Sequence, residues 1–200
     1  MVKSGAGSEA KIGTIAGYRG ELKTHDLRAT EAQIAVEPSA RYLMAVDKAD
    51  FRRALGYFAA GVTVVTAKFS DDGRSGITVT AFSSLSLEPP LVLVCIDKRA
   101  RLHDRLEIDR CFAVNMLAAD QEAISRRFAA SEGDPFRGIG YRDGLTGAPL
   151  LDGAIAAVEC RVVARLPGGD HTIIVGEVDA TEVREGKPLL YFRGGYAQLS

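Results

Sequence analysis

A chain of 200 residues, 46% hydrophobic and 26% charged, has the makings of one folded domain with a substantial core, which excludes a disordered or fibrous protein. Its formal net charge of −1 offers no basic field, so neither nucleic acid nor an anionic membrane surface is expected as a partner. Its longest apolar runs, such as LVLVCI at 91–96, are strand-sized and too short to span a membrane, and no apolar leader opens the chain, so a cytoplasmic location is expected.

Residues 1–46 scatter Gly5, Gly7, Gly13, Gly17 and Gly20 among charges, and Leu27, Glu31 and Ile34 make only a weak helical face that Pro38 ends. This reads as a flexible or loosely docked N-terminal extension. The GAG at 5–7 is a poor phosphate loop, because neither a preceding strand nor a following helix is signalled. The folded domain is expected over 47–200.

Asp47 can cap a helix in which Phe51, Ala54, Leu55 and Phe58 share one face, with Gly61 as its stop. The period then changes to two. VTVVTA at 62–67 and GITVTA at 76–81 read as a hairpin turned by SDDG at 70–73. The double proline at 89–90 is expected to interrupt pairing, and the continuous apolar run after it suits a strand buried on both sides. Residues 101–108 suit a short helix, and CFAVNML at 111–117 suits another buried strand. Asp120 can cap a helix that brings Ile124, Arg127 and Phe128 together. Residues 131–149 are dense in Gly and Pro and read as one long loop. Two long strands, 155–166 and 172–181, follow around PGGD, and a short pair closes the chain at 189–192 and 196–199. Seven or eight strands with two or three short helices do not alternate as a doubly wound sheet would. The expected class is mostly β, a closed and largely antiparallel barrel with short helical insertions.

Cys95, Cys111 and Cys160 lie far apart in apolar stretches, and His25, His103 and His171 form no HxxxH pair. Neither a disulfide framework nor a metal site is expected, and the thiols read as small buried hydrophobes. The hydroxyl-rich stretch GITVTAFSSLS at 76–86 either lines a ligand or merely follows the preferences of Thr for strands and Ser for turns. DKRAR at 97–101 either cradles a phosphate or forms a solvated charged turn, and Arg126 and Arg127 are ambiguous in the same way. His171, after Gly168, Gly169 and Asp170, is either a turn residue or a group held for chemistry. With no GxSxG and no Cys–His or carboxylate pair set for catalysis, the chemistry is expected to reside in a bound cofactor.

FAAGVTVVTA, GITVTAFSSLSLEPPLVLVCIDKRARLHDRL, FAVNML, AISRRFA, GAPLLDGAIAAVEC, GGDHTIIVGEV and PLLYFRGGY occur in this order. Together they resemble the short flavin reductases, the small components of two-component flavin-dependent monooxygenases that act on aromatics. The likeness runs over about 51–199. It implies a homodimer of FMN-binding split barrels of Greek-key type, an NAD(P)H:flavin oxidoreductase that reduces FMN or FAD with NADH or NADPH and supplies it to a separate monooxygenase. By position, Gly76, Ile77, Thr78, Val79, Thr80, Ala81 and Ser84 would line the flavin ring and ribityl chain. Cys95, Ile96 and Asp97 would approach it through backbone atoms, and Arg101 and Leu102 with Arg127 and Phe128 would hold its phosphate end. Gly169, Asp170, His171 and Tyr196 would meet the nicotinamide nucleotide, His171 positioning it rather than donating a proton. The family often carries a small polar residue where Val79-Thr80 and Ala100-Arg101 stand here. A flavin- or haem-binding barrel without activity, and an oxidase of the pyridoxamine phosphate oxidase type, are the alternatives on the same architecture.

Overall fold

The computed structural model describes residues 46–70, 73–130 and 133–199. The expected N-terminal extension, apart from Val46, lies outside the described residues, as do Asp71 and Asp72 of the expected turn. Asp47 starts helix α1 (Lys48–Leu55), its carboxylate accepting from the amides of Ala49 at 2.7 Å and Asp50 at 3.3 Å. Two donors that a helix start leaves unpaired are thereby satisfied. The helix stops at Gly56, not Gly61, which belongs to strand β1 (Ala60–Gly61). Its apolar residues Phe51 and Leu55 point outward, 58% and 54% exposed, as does Phe58 just beyond its end, 76% exposed.

The expected hairpin forms as β2 (Thr63–Lys68) and β3 (Arg74–Val79), the second strand beginning and ending two residues early. The double proline does not interrupt pairing. It turns β4 (Phe82–Leu87) into β5 (Pro90–Asp97), with Leu87 opposite Pro90, because a proline in the turn or at the first strand position removes no needed ladder donor. Nor is β5 buried on both sides. Val92, Val94 and Ile96 enter the core, while Leu91, Leu93, Cys95 and Asp97 remain partly exposed.

Only a short 3-10 turn, His103–Arg105, stands where 101–108 suggested a helix, although Leu102 and Leu106 both reach the core. Strand β6 (Cys111–Met116) is buried on both faces as expected. Helix α2 (Glu122–Ala129) follows, but Asp120 does not cap it. Gln121 takes the cap position, and its side chain accepts from Ala118 N (2.9 Å) and donates to Asp152 O (2.7 Å) instead. The supposed long loop contains two short strands, β7 (Tyr141–Asp143) and β8 (Pro149–Leu151). β9 (Ala156–Gly168) and β10 (His171–Val183) are the two long strands, and β11 (Leu190–Phe192) and β12 (Gly195–Ala197) close the chain.

A seven-stranded sheet runs β3-β2-β6-β9-β10-β5-β4, beside the small sheets β1-β11-β12 and β7-β8. Every pairing among the described residues is antiparallel. The class is thus mostly β with two short helices, as expected, but with twelve strands among the described residues rather than seven or eight. β2 separates two cores. Val65 and Ala67 pack with Val94, Phe112, Val162 and Ile174, whereas Val62 and Val64 pack with Leu117, Phe128 and Leu189. Each such side chain contributes roughly 1.5–3 kcal/mol by leaving water. No helix among the described residues is long and apolar enough to cross a membrane.

Glu159 on β9 organises the turn between β7 and β8. Its carboxylate, 5% exposed as a residue, accepts from Leu145 N (2.9 Å), Thr146 N (2.7 Å) and Thr146 Oγ1 (2.6 Å). Burial would raise its pKa, but the bonds from Thr146 and Leu145 and the charge of Arg142 outweigh burial and lower it. A lowered folded-state pKa gives stability that is present above the ordinary glutamate value of about 4.3 and is lost as pH falls through the folded value. Glu159→Ala is expected to cost about 2–3 kcal/mol, the scale of hydrogen bonds to a buried charge. Denaturant midpoints of variant and parent, compared at neutral pH and again in acid, check this: the gap should narrow in acid.

Candidate functional site

A cleft of about 420 Å3 opens where β3, the turn after β5 and α2 meet. Gly76 and Ile77 supply one wall, Ala100, Arg101, Leu102 and Arg105 a second, and Phe128 a third. Because β3 is the edge of its sheet, its backbone groups on the side away from β2 pair with no strand among the described residues and can meet a ligand. The α2 wall is fixed by sequence. Thr78 Oγ1 on β3 donates to Ser125 O at 2.7 Å, and a Cβ at Gly76 would stand 2.6 Å from Phe128 Cε1. Only glycine lets the buried Phe128 ring approach β3 this closely. Phe128 also meets Phe136 edge-on at 5.0 Å.

The cleft is cationic on one side. Arg74, Arg99, Arg101 and Arg105 line it. Arg99 is engaged by Asp97, its Nη2 donating to Asp97 Oδ2 at 2.7 Å, and these bonds, with the Arg99 amide donating to Oδ1 at 2.8 Å, hold the Asp97 carboxyl far below the usual carboxylate range. Arg101 Nη1 donates to Gly133 O at 3.1 Å. Arg74 stacks on Tyr141 and Arg105 on Phe69, with guanidinium-to-centroid distances of 5.1 and 3.8 Å. Guanidinium groups held in this way present a fork suited to phosphate. Arg74 and Arg105 were not singled out in the sequence. The signal was there in spacing alone, since Arg74 shares a face of β3 with Gly76 and Arg105 lies four residues beyond Arg101.

His171 opens β10 directly opposite Asp97 of β5. Gly169 turns the preceding hairpin with φ of 70°, a conformation glycine adopts without strain. Lys98 clamps that turn: its Nζ donates to Gly169 O at 2.7 Å and its amide to Asp170 O at 3.1 Å. His171 Nδ1 lies 2.8 Å from Asp170 Oδ1. An ionised carboxylate only accepts, so Nδ1 carries the proton and the Nε2 of the neutral ring is left as an acceptor. The bond to His171 lowers the pKa of Asp170, which keeps that acceptor ionised. Tyr196 belongs to a different element. Its Oη is 2.9 Å from Ser125 Oγ, and Arg126 stacks over its ring at 4.8 Å.

The cleft gathers Gly76, Ile77, Arg101, Leu102 and Phe128 of the expected site. Leu102 is 1% exposed and belongs to the core beneath the cleft. Val79 and Ile96, 6% and 0% exposed, are core residues, and Ile96 is closed to a ligand in this structure. Arg127 donates to the Arg137 carbonyl and ties α2 to the segment that follows it. Thr80, Ala81 and Cys95 border a second, apolar cleft of about 630 Å3 with Phe51, Leu55, Leu93 and Tyr191. Ser84 lies on β4 and is exposed. Burial pushes the Cys160 thiol up to about 12 and raises those of Cys95 and Cys111, so all three remain protonated at neutral pH and none is a ready nucleophile.

Residues 55–200 match the model of the flavin reductase like domain. The chain is 46% identical over 153 residues to the reductase component of 4-hydroxyphenylacetate 3-monooxygenase from Thermus thermophilus, covering 76% of this chain and 97% of that one. It is 43% identical over 152 residues to an NADH-dependent flavin reductase from a Rhodococcus species, covering 74% and 84%. Among solved structures, the NADH:FAD oxidoreductase SgcE6 of Streptomyces globisporus, in complex with NAD and FAD fragments, superposes with a TM-score of 0.73 at 39% identity, covering 77% and 93%. The flavin reductase PheA2 superposes with a TM-score of 0.72 at 39% identity, covering 77% and 99%. The chain belongs to the flavin reductase-like domain family and has the split-barrel fold of those reductases.

Proposed function

We propose that the chain is an NADH-dependent flavin reductase that reduces FMN or FAD and passes the reduced flavin to a separate monooxygenase component. The observation that carries this reading is the cleft itself: an edge strand for the polar rim of a flat ring, an aromatic wall, and guanidinium groups at one side for a phosphate. That donor set fits a flavin nucleotide. Relatives of this chain bear the names of monooxygenase reductase components and of NADH-dependent flavin reductases.

Bound flavin supplies the chemistry of accepting a hydride, and the residues of the chain supply position. In this reading the backbone of Gly76, Ile77, Thr78 and Val79 holds the polar edge of the ring, and Phe128 closes the wall that α2 provides. Arg101, with Arg74 and Arg105, holds the phosphate. The hydroxyls of Thr80 and Ser84 and the backbone of Ala81, Cys95 and Asp97 extend the contact toward the second cleft. The Gly169–Asp170 turn aims the Nε2 of His171 as an acceptor for a donor group of the incoming nicotinamide nucleotide, and Tyr196 would meet that nucleotide from a separate element, beside Ser125 and Arg126 of α2. No side chain is asked to act as nucleophile or proton donor.

A homodimer belongs to the proposal. The outward residues Phe51 and Leu55 of α1, with Phe58 just beyond it, adjoin the partly exposed Leu93 and Cys95, an apolar area of the kind a second copy covers. The catalytic domain is read as 47–200 with 1–46 as an appended segment. A cytoplasmic location is part of the same reading, since NADH and unoxidised thiols belong to a reducing compartment.

The test is steady-state NADH oxidation by the purified chain with FMN or FAD added. Turnover that depends on flavin supports the proposal, and its absence with both flavins returns the chain to a non-enzymatic binding role. His171→Ala is expected to raise the KM for NADH by about tenfold, the scale of one lost hydrogen bond to a ligand, while leaving the flavin Kd unchanged. Stopped-flow reduction kinetics equal to the parent's would remove His171 from the site.

A further inference from the structure

The turn that supplies the second wall of the cleft carries, behind it, a histidine that the reading above leaves unused. His103 follows Leu102 in the cationic turn and is 8% exposed. Its amide donates to Ala100 O at 2.9 Å, which fixes it within that turn. Both ring nitrogens have partners. Nδ1 is 2.6 Å from Asp104 Oδ1, and Nε2 is 2.8 Å from Thr172 Oγ1 on β10. Thr172 is also 8% exposed and is the residue next to His171. Because a carboxylate only accepts, Nδ1 is the protonated nitrogen, and Nε2 of the neutral ring accepts from the Thr172 hydroxyl. The sequence distance of this bond is 69 residues, so it joins two parts of the site that the chain alone keeps apart.

We propose that His103 is a positioning residue: through Thr172 it locks the phosphate-holding turn, 100–105, to the first residues of β10, and so sets His171 relative to the flavin cleft. The inference rests on the reductase reading for the meaning of the two ends, but the link itself is independent of it. Buried on both sides, the bond has little water to exchange with, and side chains alternate along β10. Thr172 therefore reaches inward to His103 while His171 faces the opposite side of the strand. Breaking the bond frees the turn and the strand start together. A packing role for the ring would not require a particular nitrogen.

The experiment compares His103→Gln, His103→Asn and Thr172→Val with the parent. A glutamine oxygen reaches the depth of Nε2 and can accept from Thr172, whereas asparagine reaches only the depth of Nδ1. His103→Asn and Thr172→Val should each raise the NADH KM and the flavin Kd by about three- to tenfold, the loss of one buried hydrogen bond, with His103→Gln staying within about twofold of the parent. The double variant His103→Asn/Thr172→Val should be no worse than either single one. Hydrogen exchange should quicken at both 100–105 and 171–172 in the Asn and Val variants, a readout that needs no turnover. Parent-like NADH KM and flavin Kd in Asn and Val, additive losses in the double variant, a Gln variant as impaired as Asn, or exchange that changes at one segment only, would each overturn the proposal. If the parent itself fails to oxidise NADH with flavin, it is the reductase reading that fails, and the exchange data still decide the link.

Discussion

Phe128→Ala is expected to lower stability by about 3–5 kcal/mol, the cost of emptying a large buried aromatic site. The ring is 2% exposed, meets Phe136 edge-on at 5.0 Å and belongs to the core that packs α2 on β2. Its other neighbour is the bare backbone of Gly76, which offers no side chain to fill the void. The melting temperature should fall by about 6–20 °C for a domain of this size. Flavin affinity should fall with it, because the ring is both core and cleft wall. Phe128→Leu keeps much of the volume and should recover most of the stability. Thermal melts beside fluorescence titrations with FMN check both halves, and a melting temperature within about 2 °C of the parent would contradict the packing account.

Arg101→Ala is expected to weaken FMN binding by about ten- to a hundredfold, the range of hydrogen bonds from a charged donor. The loss should shrink in high salt, because the interaction is ionic and the cleft is open to solvent. Riboflavin, which has no phosphate, provides the control: its Kd should barely change. Lysine at this position should restore only part of the affinity, since an ammonium lacks the planar fork. Equal losses for FMN and riboflavin would move Arg101 from phosphate holding to general support of the turn.

Much of the fold was legible where a period and its punctuation agreed. The β2–β3 hairpin, the double burial of β6, the β9–β10 pair and the Asp47 cap all follow from local residues. The two strands hidden in the expected loop depend on partners from far along the chain. β7 and β8 look like loop because the groups that order them come from elsewhere. Glu159 accepts from the turn between them, and Asn115 Oδ1 accepts from Leu151 N at 2.8 Å. The exposed half of β5 was hidden because a run of apolar residues carries no alternation to read. Helical spacing in α1 was real, but spacing does not say what covers a face.

The site was legible in a similar measure. Gly76 and Ile77, Arg101 and Leu102, and Phe128 come from three separate stretches of the chain and meet in one cleft. Arg74 and Arg105 join them through strand and turn geometry that only their spacing hints at. The stacking of Arg105 on Phe69 and the reach of His103 to Thr172 depend on contacts between elements distant in sequence. His171 changed meaning on folding: the Asp170 carboxylate turns a lone ring after a glycine turn into an acceptor of fixed tautomer.

The central claim is a place as well as an activity, and a crystal of the chain soaked with FMN under anaerobic conditions tests it most directly. The account predicts flavin density against Gly76 and Ile77, with its phosphate at Arg101. Density confined to the apolar cleft of Phe51, Leu93 and Tyr191, with the cationic wall empty, would contradict it.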